Sequence, residues 1–330
     1  MRKSLKVVAF GGDPADAFLK AAGITDATIT SAVKTLVRGL QADGLWSKMK
    51  AIYPMVGGNA TAHSYNLKDT TKFQITWSGG ITHSSTGVLP NGTNGYGNTG
   101  LIPSLSLLQN SASASFYSRT NTNTGWDFGS VGGSSYSNII AGSVRNSDIY
   151  NYPTNDTTYN ITVWNGNGLG YFIQSRTGAS TVSAFKNSSK LVTGTTSSAS
   201  LSAYPIFLFT FNNMGSVFTG GYASKECAFF SIGDGLSDTE ASNLYTRIQT
   251  FQTSLNRYVG VPIYSSFDSD AQSFMTSASI TDSTQQAAVN ALVTDLKSAN
   301  LWTKMKAVYP MVGGTASSHS YNLKNPAQYQ

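Results

Sequence analysis

One stretch of this chain occurs twice, and that duplication constrains the fold more than anything else in its 330 residues. Leu45-Trp46-Ser47-Lys48-Met49-Lys50-Ala51-Ile52-Tyr53-Pro54-Met55-Val56-Gly57-Gly58 returns, at a constant offset, as Leu301-Trp302-Thr303-Lys304-Met305-Lys306-Ala307-Val308-Tyr309-Pro310-Met311-Val312-Gly313-Gly314. The match resumes at His63-Ser64-Tyr65-Asn66-Leu67-Lys68 and His319-Ser320-Tyr321-Asn322-Leu323-Lys324. An ungapped repeat of this length does not arise by chance, so the two ends are copies of one module. Residues 1–72 make the first copy, residues 259–330 a linker (Val259–Ser266) and the second, and residues 73–258 a separate body.

The module reads as helical. Asp13 caps a short helix over Ala15–Ala22 that Gly23 stops, and Thr25 or Asp26 caps the next. Ile29, Ala32, Val33, Leu36, Val37 and Leu40 then recur at the spacing of one buried stripe. Gly44, and Asn300 in the second copy, both tolerate the left-handed conformation that ends such a helix. A further short helix is expected with Trp46, Met49 and Tyr53 inward, ending before Pro54.

The body reads as β-structure. Apolar runs including Phe73–Trp77, Ser104–Leu108, Ala114–Ser118, Asn138–Val144, Tyr159–Trp164, Gly170–Ser175, Val182–Phe185, Ile206–Phe211 and Cys227–Ile232 are separated by Gly, Asn and Ser turns. That is the rhythm of a sandwich or jelly roll. One helix, over 237–256, closes it: Ser237-Asp238-Thr239-Glu240 is a capping box, and Ala241, Leu244, Tyr245, Ile248 and Phe251 form its buried face. The expected class is multidomain α+β, a central antiparallel β-sandwich flanked by two homologous helical modules.

Composition fits that outline. Charged residues are 12% of the chain, about half the usual share, and Glu occurs at two positions, Glu226 and Glu240. This excludes a coiled coil or an acidic disordered chain. The single cysteine, Cys227, excludes an intrachain disulfide and a cysteine metal cluster. No Lys/Arg run exceeds two, so a nucleic-acid tract is not expected. Apolar stretches such as Val7-Val8-Ala9-Phe10 fall far short of a membrane span, and Met1-Arg2-Lys3 is not followed by the apolar core of a signal peptide.

The repeat core and the segment Ala228-Phe229-Phe230-Ser231-Ile232-Gly233-Asp234-Gly235-Leu236-Ser237 resemble structural proteins of tailed bacteriophages. In those, helical modules alternate with laminin-G-like, concanavalin-like sandwiches. The resemblance covers most of the chain and implies a non-enzymatic component of the virion surface: a capsid decoration protein, a head fibre or a tail-associated adhesin. It implies capsid or fibre subunits as partners, a homo-oligomer, and synthesis in the bacterial cytoplasm. In one respect the chain departs from the pattern, because no further sandwich follows the second module.

Read this way, the sandwich is lectin-like, and host or mucosal glycans are the second class of partner. Tyr96 (in an exposed loop, Asn94–Gly100), Trp126, Asp127, Tyr136, Tyr150, Tyr152 and Trp164 are the candidates for holding sugar. Assembly falls to the repeat residues: Trp46, Lys48, Lys50 and Tyr53, with Trp302, Lys304, Lys306 and Tyr309 in the second copy. A polysaccharide-cleaving enzyme is the third reading. It needs two carboxyl groups facing one cleft, and none of the expected strands carries acids two or four apart. His63 and His319 are repeat equivalents and His83 stands alone in sequence, so no zinc set is expected. No cofactor is required. Calcium would call for six to eight oxygens, and Asn146-Ser147-Asp148 and Asn155-Asp156 are the modest clusters on offer.

Overall fold

The computed structural model describes residues 13–260 and 267–330, so the expected linker falls largely outside the described residues, as do Met1-Arg2-Lys3 and Val7–Phe10. The chain divides into two compact units that meet in sequence at Val259 and Gly260.

In the first unit, strand Ala112–Ser118 shows how the body is built. Ala112, Ala114 and Phe116 point into the core between two sheets. The alternate residues Ser113, Ser115 and Tyr117 point the other way, as the two-residue period of a strand requires. Antiparallel neighbours flank it, with Phe116 opposite Phe172 of Gly170–Arg176 and opposite Phe230 of Cys227–Gly233. From edge to edge this eight-stranded sheet runs Ser189–Thr195, Thr181–Lys186, Gly170–Arg176, Ala112–Ser118, Cys227–Gly233, Gly87–Pro90 and Ile81–Ser84, with one more strand on Cys227–Gly233. The ten-stranded sheet facing it runs Thr162–Trp164, Ile149–Asn151, Ile139–Asn146, Phe128–Val131, Phe207–Leu208, Tyr96–Asn98 and Thr76–Ser78, with three short strands off this path. The chain is thus an antiparallel β-sandwich with flanking helices.

The outer face of the eight-stranded sheet is covered. Helix Asp238–Ser254 starts at the expected capping box and lies along it. Gln249 accepts a 2.9 Å hydrogen bond from the Tyr117 hydroxyl, and Gln252 donates to the Ala228 carbonyl at 3.2 Å. Helix Ala27–Ala42, capped by Asp26, packs in turn on the closing helix. Arg247 grips Asp43 through two bonds of 2.8 and 2.9 Å, and its stem crosses Gly39, where a Cβ would meet Arg247 Cδ at 2.7 Å.

Three expectations are corrected. The helix expected through Tyr53 spans only Leu45–Lys48, and Met49–Tyr53 is the extra strand of the eight-stranded sheet, with Tyr53 opposite Phe230. A waiting sheet edge overrides local helix preference here. For the same reason the expected boundary at 72/73 divides nothing: the first module and the sandwich share one unit. Finally, the run from Ser104 to Leu108 is not a strand, because Pro103 opens a helical turn over Pro103–Ser106.

The second unit repeats the module on its own core of Ala271, Phe274, Met275, Ala278, Ile280, Val289, Val293, Trp302 and Leu323. Helices Ser269–Ser277 and Ser283–Ser298 stand where Pro14–Ala21 and Ala27–Ala42 stand in the first. Details survive the duplication. Lys68 lies 4.4 Å from the Trp46 ring centroid and Lys324 lies 4.4 Å from that of Trp302. Buried Asn66 accepts from Ile52 N at 2.9 Å, and buried Asn322 from Val308 N at 3.0 Å. Met55 and Met311 both have positive φ, 47° and 52°.

Candidate functional site

With one sheet face covered by helices, the outer face of the ten-stranded sheet is the other place for a ligand: its central residues Val131, Ile139, Ala141 and Ser143 are buried, and its edge strand is open. Strand parity shows what lies on it. Val163 packs against the inter-sheet core, so its neighbours Thr162 and Trp164 face outward. Thr162 pairs with Asn151, which pairs with Ser143, and Trp164 pairs with Ile149. Trp164 is 77% exposed, a rare state for an indole. It lies over Gly166, where a Cβ would meet the ring at 2.8 Å. Glycine is needed at 166 to let the ring sit there.

A polar corner adjoins this tryptophan, since Asn165 N bonds the Asp148 carbonyl at 2.8 Å. Asp148 Oδ1 accepts from Arg145 Nη2 at 2.7 Å, from Arg145 Nε at 3.0 Å and from Asn123 Nδ2 at 3.1 Å. Arg145 also donates to Asn121 at 2.9 Å, and Asn121 Oδ1 receives Gly168 N at 2.7 Å. Lys186 reaches Asn165 Oδ1 at 2.9 Å. These bonds hold amides and a guanidinium in fixed places beside an open aromatic face, a combination that suits a flat, hydroxyl-rich ligand.

Further along the same face stands an aromatic cluster. Phe211 and Phe218 stack at 4.3 Å, Trp126 meets Phe211 edge-on at 5.5 Å, and Tyr136 meets both phenylalanines edge-on at 5.9 and 6.2 Å. Tyr159, 39% exposed, abuts Tyr136 at 5.4 Å. Val131, Ile139 and Ala141 floor the cluster.

Of the seven sugar-holding candidates, the structure therefore places Trp164, Trp126, Tyr136 and Tyr96 on this face. Tyr96 belongs to strand Tyr96–Asn98, half-buried against Phe207 at 5.1 Å, not to an exposed loop. Tyr150 and Tyr152 are corrected outright: they are 1% and 2% exposed and line the inter-sheet core, where no ligand reaches. Asp127 is fully buried and paired with buried Lys225 at 3.2 Å. Burial pushes its carboxyl above the usual range, with Lys225 pulling the other way. Tyr159, Phe211, Phe218, Asn121, Asn123 and Arg145 had no place among the candidates. The Asn-rich run before Trp126 was the one available signal for them.

The carboxylates of the body are all engaged by cations. Asp127, Asp148, Asp156, Glu226, Asp234, Asp238 and Glu240 pair with Lys225, Arg145, Arg176, Arg119, Lys50, Lys190 and Lys48 respectively. Asp148 and Asp156, raised above as calcium ligands, are thus held by arginines. Lys48 and Lys50 are corrected as free assembly contacts: they reach Glu240 at 2.6 Å and Asp234 at 3.0 Å inside their own unit. Trp46 sits under Lys68, and Tyr53 is fully buried with its hydroxyl on the Phe73 carbonyl at 2.5 Å. His83 is not alone, since its Nδ1 lies 3.0 Å from that of His63. In the second unit Trp302 is buried, whereas Lys304, Lys306 and Tyr309 are exposed.

No protein-family model and no curated protein matches this chain. Similar backbones occur among solved structures. Domain 4 of AbnA, a GH43 extracellular arabinanase from Geobacillus stearothermophilus solved with arabinotriose, is 13% identical over 60% of this chain and 98% of its own, with TM-score 0.43. The binding domain of Paraclostridial mosquitocidal protein 1 is 10% identical over 62% of this chain and 53% of its own, about half its length, with TM-score 0.43. The CBM40 of Ruminococcus gnavus IT-sialidase, solved with α2,6 sialyllactose, is 12% identical over 45% of this chain and 93% of its own, with TM-score 0.33.

Proposed function

We propose that this chain is a non-enzymatic attachment protein that holds glycans on the outer face of its ten-stranded sheet. Its place, on the resemblance of its repeat and closing segment to phage proteins, is the surface of a bacteriophage particle. The observation that carries the glycan reading is Trp164: 77% exposed on the edge strand of that face, beside a corner of hydrogen-bonded Asn, Asp and Arg. The non-enzymatic reading is supported by the seven carboxylates, each matched to a cation. A glycosidase needs one carboxyl kept protonated and a second facing it.

A glycan array with the purified chain tests this. Trp164→Ala removes the open ring and nothing that the fold leans on, so stability should stay within about 0.5 kcal/mol. Affinity for the bound glycans should fall about tenfold or more, equivalent to about 1.4 kcal/mol. Equal binding by wild type and variant, or no glycan bound at all, would overturn the site. Shortened glycan chains after incubation would replace the reading with an enzyme.

A further inference from the structure

The two copies of the module differ in one respect that their sequences do not predict. In the first, Met49–Tyr53 is a strand on the edge of the sandwich; in the second, the same residues, 305–309, join no sheet among the described residues. We infer that Met305–Met311 is a docking strand for the sheet edge of a second β-sandwich, built like the one that receives the first module.

The geometry of the first copy specifies the partner. Ile52 N turns inward to Asn66, so the flanking amides of Ala51 and Tyr53 face Cys227–Gly233. Val308 N likewise turns inward to Asn322, and Leu323 N bonds the Val308 carbonyl at 2.7 Å as Leu67 N bonds that of Ile52 at 2.8 Å. The inner side of the segment is therefore already in place. Its outer amides, of Ala307 and Tyr309, find no partner among the described residues.

Side chains tell the same story. Met49, Ala51, Ile52, Tyr53 and Met55 are at most 2% exposed, whereas Tyr309 is 39% and Met311 61% exposed. Tyr53 stacks on Phe230 at 6.1 Å. Tyr309 keeps the equivalent hydroxyl bond, to the Tyr329 carbonyl where Tyr53 uses that of Phe73, but its ring has no aromatic partner among the described residues. Lys48 and Lys50 meet Glu240 and Asp234, while Lys304 and Lys306 are exposed with no ion pair among the described residues. Arg257 donates to the Met55 and Pro54 carbonyls at 2.6 and 2.5 Å. The left-handed turn that presents the first of those carbonyls, costly for methionine, is retained at Met311. The partner thus offers an antiparallel edge strand, an aromatic ring opposite Tyr309, two carboxylates for Lys304 and Lys306, and an arginine for the Pro310 and Met311 carbonyls. The edge within this chain already holds the first module, so the occupant is a different sandwich of the same chemistry.

The test supplies such a sandwich in the natural spacing. Residues 75–259 are appended after Gln330 of the full chain, because Gln330 stands at the repeat position of Gln74, so that the second module precedes them as the first module precedes the native body. Hydrogen exchange is then followed at Met305 to Tyr309. In the native chain these amides should exchange at least a hundredfold faster than those of Met49–Tyr53. In the extended chain they should slow to match them, and Lys306→Glu should restore fast exchange. Three results would overturn the inference: amides that stay fast beside a folded appended sandwich, an appended sandwich that does not fold, or amides already protected in the native chain by self-association.

Discussion

Two imidazole nitrogens 3.0 Å apart, His63 Nδ1 and His83 Nδ1, can share one proton but not hold two. Burial drives the His63 pKa down to about 3, with His83 and Arg257 adding repulsion, and burial lowers that of His83 as well. The folded state therefore favours the neutral pair. As pH falls below about 6.5 the unfolded chain takes up a proton at His63 that the folded chain refuses until near pH 3, so stability drops across that window. At pH 5 the loss from His63 alone amounts to about 2 kcal/mol. Urea midpoints at pH 7 and pH 5 measure it. His63→Gln should shrink the difference between the two pH values, whatever it does to absolute stability, and an undiminished difference would remove His63 as the cause.

At the scale of elements, one sequence has two fates, and proline distinguishes them. Ala51 N faces the strand Cys227–Gly233, so Ala51→Pro deletes a ladder bond and should destabilise the first unit by about 3 kcal/mol. Ala307→Pro, at the repeat position, should change the second unit by less than about 1 kcal/mol, because among the described residues no ladder is there to break. Chemical denaturation of both variants settles the contrast; equal losses would mean that Met305–Tyr309 is already paired. The same contrast explains what a reader of the sequence could see. Helices announced themselves through local chemistry: Asp26 and the Ser237–Glu240 box cap the helices expected of them. Met49–Tyr53 could not be read, because its strand character comes from Phe230 and its neighbours far along the chain. Nor could composition sort the aromatics by face. Tyr150 and Tyr152 turn into the core, while Phe207 and Phe211 turn outward on either side of Phe209, whose φ of 69° breaks the alternation. Trp164 was legible as a candidate, but its exposure follows from its edge-strand position, which only the pairing of Thr162–Trp164 with Ile149–Asn151 reveals.

For the molecule as a whole, the division at Val259 and Gly260 separates two cores of unequal size. The first combines the inter-sheet core with a helix layer packed on one sheet. The second, ~70 residues long, has a single small cluster, close to the size at which one core stabilises by only a few kcal/mol. The apolar area that Tyr53 and Met55 bury in the first unit remains open at Tyr309 and Met311. Calorimetry should accordingly show two transitions, the second unit melting first. Trp302 is the centre of that small core, 7% exposed and flanked by Lys324 at 4.4 Å and Lys297 at 5.6 Å. Trp302→Ala should cost about 3–5 kcal/mol, enough to abolish the lower transition while leaving the upper one in place. A single transition that shifts as a whole would show instead that the two units fold as one.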